Sequence, residues 1–253
     1  MGTLFFLHGL GGGHAAWDEQ VAYFSARGHR CVAWDQPGYG GTPLVDPYSL
    51  ENVALALKKQ IGDGPVILVG HSMGGLIAQE AYARFPELVQ GMALCFTSAA
   101  FVGGSEFVAQ FVKERLGPLD AGMSMAQVAA QVMPTMRGTN SNPAGLARAE
   151  RIMGAIPPQN YRKAVQLLTT FDRRADLPKI AVPTLLVAGS DDRTAPPAIM
   201  QRMSEKIPRA EFVLLECCGH LGPMDQPGAF NAALEAFLRK QLLDQQFHPS
   251  KPL

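Results

Sequence analysis

The chain has 253 residues, of which 47% are hydrophobic and 17% are charged, and its 22 basic residues balance its 22 acidic residues. Such a length can bury one large core, and the balanced charge argues against nucleic acid and anionic membranes as partners. No apolar run approaches the ~20 residues of a membrane span, and the first residues lack the features of a signal peptide. The four cysteines form neither a disulfide framework nor a spaced metal set, so we expect a reduced, cytoplasmic protein without a bound metal.

Short apolar runs alternate with helical patterns along most of the chain. The predicted strands are Gly2–His8, Arg30–Asp35, Pro65–Gly70, Val89–Thr97, Pro183–Gly189 and Ala210–Glu216. The predicted helices are Ala15–Arg27, Leu50–Ile61, Met73–Phe85, Pro197–Lys206 and Phe230–Leu242. This alternation is typical of an α/β protein with a mostly parallel sheet and helices on both faces.

The alternation stops between roughly Ser98 and Pro178, where helical patterns occur without a strand. We therefore predict a helical cap insertion over residues 99–178, a core made of residues 1–98 and 179–247, and a tail at residues 248–253. Methionine fills irregular spaces, so the methionines of the insertion either line a substrate pocket or pack the insertion's own core. They are Met123, Met125, Met133, Met136 and Met153.

The stretch Gly70-His71-Ser72-Met73-Gly74 matches Gly-x-Ser-x-Gly between a predicted strand and a predicted helix. In this pattern the serine lies on a sharp, strained turn, and the small flanking residues avoid collisions. The helix that follows directs its positive end at the site, which favours an oxyanion. The pattern predicts that Ser72 is a nucleophile.

A nucleophilic serine needs a base, and the base needs an acid that orients it. Among the six histidines, His220 stands out because it comes just after the last predicted strand, four residues beyond Glu216. Two adjacent acids, Asp191 and Asp192, follow the strand before it, and the residues alone leave both open. The order serine, aspartate, histidine is the one expected for this kind of site.

The first predicted strand ends in a glycine-rich loop, His8-Gly9-Leu10-Gly11-Gly12-Gly13. We predict that the backbone N–H groups of Leu10 and Met73 form an oxyanion hole. A dinucleotide fingerprint would need glycine at position 14, where His14 stands, and no Gly-Lys-Ser/Thr follows, so we expect no cofactor. A strand order of 2-1-3-4-5-6 would bring this loop and the serine turn together at the switch point, where ligands bind.

Five landmarks along nearly the whole chain resemble, in order and spacing, those of the α/β-hydrolase fold superfamily. They are HGLGGG, DQPGYGGTP, GHSMGG, GSDDRTAPP and GHLGPMDQP. HSMGG and FDRRADLPKIAVPTLLVAG most resemble the branch of carboxylesterases and 3-oxoadipate enol-lactonases. The resemblance implies the α/β-hydrolase fold, and it implies Asp192 as the acid, since related sequences place it three residues after a glycine and four before a proline, here Gly189 and Pro196. Many relatives carry two more strands before the one that opens this chain.

The predicted function is that of a serine hydrolase, which cleaves a small carboxylic ester or lactone through an acyl-enzyme. Two alternatives remain: a carbon–carbon bond hydrolase of ring-cleavage products, and a small-molecule receptor that keeps the triad. Candidate pocket residues, each equally plausible as plain core, are Trp17, Phe101 and Phe107. A lactone that bears a carboxylate would need a cation near the site. The candidates are Arg137, Arg173 and Arg174, each of which could instead lie on the solvated surface.

Overall fold

A six-stranded sheet forms the centre of the molecule. The computed structural model describes residues 2–101 and 105–247, with side chains up to residue 241, so the predicted tail at residues 248–253 lies outside the described residues. The strand order is β2-β1-β3-β4-β5-β6, and all five pairings are parallel, so the predicted order is confirmed. The strands are β1 (Thr3–Leu7), β2 (Arg30–Trp34), β3 (Val66–His71), β4 (Val89–Cys95), β5 (Thr184–Gly189) and β6 (Ala210–Leu215).

Helices cover both faces of the sheet. Every residue of β3 and β5 is buried, which requires a layer on each side and explains why these strands are continuous apolar runs. The helices are α1 (Asp18–Ser25), α2 (Leu50–Ile61), α3 (Met73–Arg84), α4 (Ser105–Asp120), α5 (Met125–Val132), α6 (Pro143–Gly154), α7 (Pro158–Leu168), α8 (Pro197–Ser204), α9 (Gly222–Asp225) and α10 (Pro227–Phe247). Within the described ranges, no helix combines the length and the apolar character that crossing a bilayer needs.

Helices α4 to α7 lie between β4 and β5, in the stretch where the strand pattern stops. Helix α5 begins at a capping box made by Ser124 and Gln127, and the side chain of Asn142 caps α6. A single antiparallel bridge between Ala100 and Asp172 joins the start and the end of this stretch. The chain therefore leaves the sheet and returns to it at nearly the same place.

The carboxyl ends of β1 and β3 lie side by side, because Leu7 pairs with Gly70. The loops that follow these two strands therefore meet. They are the glycine-rich loop and the serine turn, as the switch-point argument predicts.

Candidate active site

Ser72 lies on the turn between β3 and α3 with φ 52° and ψ −117°. A positive φ is strained for a residue with a side chain, so neighbouring bonds must hold it. The Ser72 N–H donates to the carbonyl of Cys95 at 2.9 Å, and the Ser72 carbonyl accepts from the Thr97 hydroxyl at 2.8 Å. These bonds fix the turn so that Ser72 lines a cavity.

The glycines around this turn allow the backbone to pack closely. A Cβ atom at Gly74 would overlap the carbonyl oxygen of Leu7, and a Cβ at Gly70 would overlap the carbonyl of Gly74. Helix α3 therefore starts directly against the end of β1. The motif requires glycine at these positions because no side chain fits between helix and sheet.

A chain of hydrogen bonds joins Ser72, His220 and Asp192. The distance from His220 Nε2 to Ser72 Oγ is 3.0 Å, and the distance from His220 Nδ1 to Asp192 Oδ2 is 2.8 Å. The side chain of Asp192 is fully buried, and its other oxygen accepts from the backbone N–H groups of Thr194 at 2.8 Å and Ala195 at 2.9 Å. The partners of both carboxylate oxygens hold Asp192 in one orientation, towards the imidazole.

Asp191 faces in a different direction from Asp192. Its Oδ2 atom accepts from the backbone N–H of Thr139 at 2.7 Å and from the Thr139 hydroxyl at 2.6 Å. These bonds lower the pKa of the Asp191 carboxyl, with the hydroxyl the larger cause. Between the two adjacent acids, only Asp192 contacts His220.

His71 supports the loop that carries His220. Its Nε2 donates to the carbonyl oxygen of His220 at 2.7 Å. Burial lowers the pKa of His71 to about 3, so the ring is neutral at pH 7. The sequence shows that His71 is adjacent to Ser72, but it does not reveal the hydrogen-bond acceptor of His71. That acceptor is a carbonyl 149 residues further along the chain.

His8 supports the glycine-rich loop. Its Nδ1 donates to the carbonyl of Gly9 at 2.9 Å, and its Nε2 accepts from the backbone N–H of Gln36 at 3.4 Å. This tautomer is assigned from the partners. Burial lowers the pKa of His8 to about 4, so this ring is also neutral at pH 7.

The predicted oxyanion donors lie beside the serine. Leu10 and Met73 line the same cavity as Ser72 and His220. The N–H of Met73 is the first in helix α3, so it has no acceptor within the helix. The carbonyl of Leu10 accepts from the Tyr39 hydroxyl at 2.9 Å, which anchors the glycine-rich loop.

The cavity above Ser72 has a volume of about 820 Å³ and suits a small organic molecule. The structure brings all three predicted pocket residues to its wall: Trp17, Phe101 and Phe107. Trp17 is also core, because its ring packs against Phe6 and Phe230. Of the five methionines singled out in the predicted insertion, three line this cavity: Met133, Met136 and Met153.

The arginines singled out in the sequence divide into two groups. Arg137 lines the cavity, whereas Arg173 pairs with the buried Glu80 at 2.7 Å and Arg174 pairs with Asp172 at 2.6 Å, so neither of these two belongs to the cavity wall. Sequence reasoning missed Arg115 and Arg193, which line the cavity. The position of Arg193 directly after Asp192 was a usable signal, but nothing local marks Arg115.

The described residues contain no group of three or more histidine, cysteine or acidic side chains that could hold a metal ion. The groups at the site are a hydroxyl, an imidazole, a carboxylate and backbone N–H donors. Together they can carry out nucleophilic attack on a carbonyl and stabilise the resulting oxyanion.

Comparison with known proteins covers nearly the whole chain. Residues 4–233 match the family model of the alpha/beta hydrolase family. A protein of Pseudomonas savastanoi pv. phaseolicola that bears the name of a carbamate hydrolase, RutD, is 32% identical over 92% of both chains. The 3-oxoadipate enol-lactonase 2 of Acinetobacter baylyi is 28% identical over 94% of this chain and 89% of its own. A thermophilic esterase of Thermogutta terrifontis, solved with malate bound, superposes with a TM-score of 0.85 at 25% identity, over 95% of this chain and 90% of its own.

Proposed function

Because this chain belongs to the alpha/beta hydrolase family and is a hydrolase, we propose that it cleaves small carboxylic esters or lactones with Ser72 as nucleophile, through an acyl-enzyme. One observation carries the proposal: the hydrogen bonds from Asp192 through His220 to Ser72, next to an apolar cavity. The similar enol-lactonase and esterase support this substrate class.

Acylation begins when Ser72 Oγ attacks the substrate carbonyl carbon and His220 Nε2 takes the hydroxyl proton. Asp192 keeps the other ring nitrogen protonated and stabilises the imidazolium. The N–H groups of Leu10 and Met73 donate to the oxyanion of the tetrahedral intermediate. The carbon–oxygen bond to the alcohol then breaks, and His220 returns the proton to the leaving oxygen.

Deacylation repeats these steps with water. His220 Nε2 takes a proton from the water, whose oxygen attacks the acyl carbon, and the bond to Ser72 Oγ breaks as the proton returns to it. A carboxylic acid leaves. For a lactone, the alcohol and the acid are two ends of the same product.

The helical stretch at residues 99–178 acts in this proposal as a cap over a core made of residues 1–98 and 179–247. Its aromatic and methionine side chains form much of the cavity wall, including Phe101, Phe107 and Met133. The apolar part of this wall selects substrates by shape.

Labelling with a fluorophosphonate probe tests the covalent step. We expect the probe to modify Ser72, and we expect Ser72→Ala to abolish both labelling and ester hydrolysis. Ser98 also lines the cavity, and its hydroxyl donates to the carbonyl of Ala100 at 3.0 Å, so Ser98→Ala is the matched control and should still be labelled. Labelling at Ser98 or Ser190 in the wild-type protein would contradict the assignment.

A substrate panel tests the reaction class. One purified sample is assayed for kcat/KM with p-nitrophenyl esters, lactones, carbamates and vinylogous 1,5-diketones. We expect esters or lactones to be the best substrates, with multiple turnovers. A higher kcat/KM for a diketone favours carbon–carbon bond cleavage, and a higher value for a carbamate favours the activity for which the Pseudomonas relative is named.

A further inference from the structure

A short segment between α5 and α6 contacts the two loops that carry the base and the acid. The histidine loop is residues 216–221, between β6 and α9, and the acid loop is residues 190–196, between β5 and α8. We define residues 136–140 as the latch segment. The His220 N–H donates to the carbonyl of Met136 at 2.9 Å, and the Asn140 N–H donates to the carbonyl of Cys217 at 3.1 Å. The histidine loop is therefore bonded to the latch segment on both sides of Gly219.

The contact between the latch segment and the histidine loop is backbone against backbone. A Cβ atom at Gly138 would overlap the backbone of Gly219, and a Cβ at Gly219 would overlap the backbone at Met136 to Gly138. Beyond the segment, the carboxylate of Asp225 accepts from the Ser141 hydroxyl at 2.7 Å and from the Asn142 N–H at 2.8 Å. The following residues are thus fixed as well.

The latch segment reaches the acid loop through Thr139. Its N–H and its hydroxyl both donate to Oδ2 of Asp191, the residue that precedes Asp192. The acid loop also contacts the histidine loop directly, because the Asp191 N–H donates to the carbonyl of Cys218 at 3.0 Å. Asp191 therefore joins three segments: its own loop, the histidine loop and the insertion.

We propose that Thr139 and Asp191 are positioning residues, which hold the acid and histidine loops in the geometry that lets Asp192 orient His220. This inference rests on the proposed function. Neither residue touches the reacting atoms, and each acts through its neighbours. The pair explains why an acid that makes no contact with His220 stands beside the one that does.

The same segment also forms part of the cavity wall. Met136 and Arg137 line the cavity and precede Thr139 by three and two residues. A substrate that packs against these two side chains therefore presses on the element that holds the base. The expected consequence is that loosening Thr139 lowers kcat, because the segment that bonds to His220 is loosened.

Substitution of Thr139 tests the proposal by steady-state kinetics. Thr139→Val removes the hydroxyl donor and keeps the branched shape, and we expect kcat to fall about tenfold, since a shift of 1 Å in a supporting residue can cost ~10²-fold. Thr139→Ser restores the donor and should keep kcat within about twofold. The matched control is Thr169→Val, because the Thr169 hydroxyl donates only to a carbonyl of its own helix end at 2.7 Å.

A double-mutant cycle gives a second kinetic result. If the two side chains act as a pair, Thr139→Val in an Asp191→Ala background, where position 191 has no side-chain acceptor, should lower kcat by much less than it does alone. Full additivity, or an effect of Thr139→Val no larger than that of Thr169→Val, overturns the proposal. Melting temperatures show that each variant is folded.

An NMR measurement keeps this inference separate from the proposed reaction. In protein labelled with ¹⁵N-histidine, the Nδ1–H signal of His220 reports its bond to Asp192 without any substrate. We expect this proton to exchange faster with solvent in Thr139→Val and at the wild-type rate in Thr139→Ser. An unchanged exchange rate in Thr139→Val overturns the positioning role. If the exchange rates change as expected but the wild-type protein hydrolyses no ester, only the proposed reaction is overturned.

Discussion

At the scale of single residues, the two adjacent aspartates have different environments. Asp192 is fully buried, and its oxygens contact His220 Nδ1 and two backbone N–H groups. Asp191 is partly exposed and accepts from Thr139. Since successive side chains at a strand end diverge, only one of the two carboxylates can reach the His220 ring.

The first prediction compares the two acids by substitution. Asp192→Asn should lower kcat by about 10²- to 10³-fold, because loss of the orienting carboxylate leaves His220 prone to the wrong tautomer. Asp191→Asn should cost about tenfold or less, since the Asp191 side chain makes no contact with His220 and acts through neighbouring residues such as Thr139. The measurement is kcat for both variants on one ester, with circular dichroism as the control for folding. A larger loss of kcat in Asp191→Asn than in Asp192→Asn would show that Asp191, and not Asp192, orients His220.

At the scale of elements, the start of helix α3 depends on how closely it approaches β1. The N-terminal turn of α3 lies against the carbonyl of Leu7, which leaves no room for a side chain at position 74. This packing places the strained Ser72 turn beside the glycine-rich loop. The distance between a helix and a strand thus determines whether the two proposed oxyanion donors converge.

The second prediction tests this close approach. Gly74→Ala should lower the free energy of unfolding by about 3 kcal/mol, because the added methyl group meets backbone that cannot move aside. The matched control is Gly228→Ala near the start of α10, where a Cβ atom meets nothing within 4 Å. The control should change stability by about 1 kcal/mol or less.

Urea unfolding at pH 7 measures both glycine variants. Gly74→Ala should also reduce kcat in its folded state, because Ser72 and Met73 move with the helix start. Equal stability of the two variants would show that the contact between α3 and β1 is not tight.

At the scale of the whole molecule, two neutral imidazoles are buried beneath the site. His8 and His71 are 1% and 8% exposed, and burial is the largest cause of their lowered pKa values, about 4 and about 3. In the unfolded chain a histidine has a pKa of about 6.5. Between these values the unfolded chain binds protons that the folded chain does not, so acid favours unfolding.

The third prediction is a loss of stability on acidification. Stability from the two rings is complete above about pH 6.5 and declines as the pH falls towards 4, because only the unfolded state is protonated in that window. When the pH is lowered from 7 to 5, each ring should lower the free energy of unfolding by about 2 kcal/mol. His8→Gln, measured by urea unfolding at both pH values, should reduce the wild-type difference by about 2 kcal/mol. The same pH dependence in both proteins would mean that His8 is protonated in the folded state.

Local signals in the sequence were sufficient for the six strands and for the five helices α1, α2, α3, α8 and α10. The strand order was a hypothesis, which the structure confirms. Short apolar runs predicted the strands, which are five to seven residues long in the structure. The motifs at the carboxyl ends of these strands predicted where the candidate site lies. Helix α9 was missed, because a single turn has no measurable period. Helix α10 begins three residues before the predicted start, at Pro227, a residue suited to the first turn of a helix.

The sequence by itself determined the candidates for the proposed chemistry, whereas only the tertiary structure decided how they are held. Ser72 and His220 lie in turns whose glycines mark them locally. The support of the histidine loop by His71, the link from Thr139 to Asp191, and the presence of Arg115 in the cavity wall join residues far apart in the chain. Periodicity and turn chemistry depend on neighbours a few residues away, but such contacts depend on where whole loops meet after the sheet and helices α4 to α7 have packed.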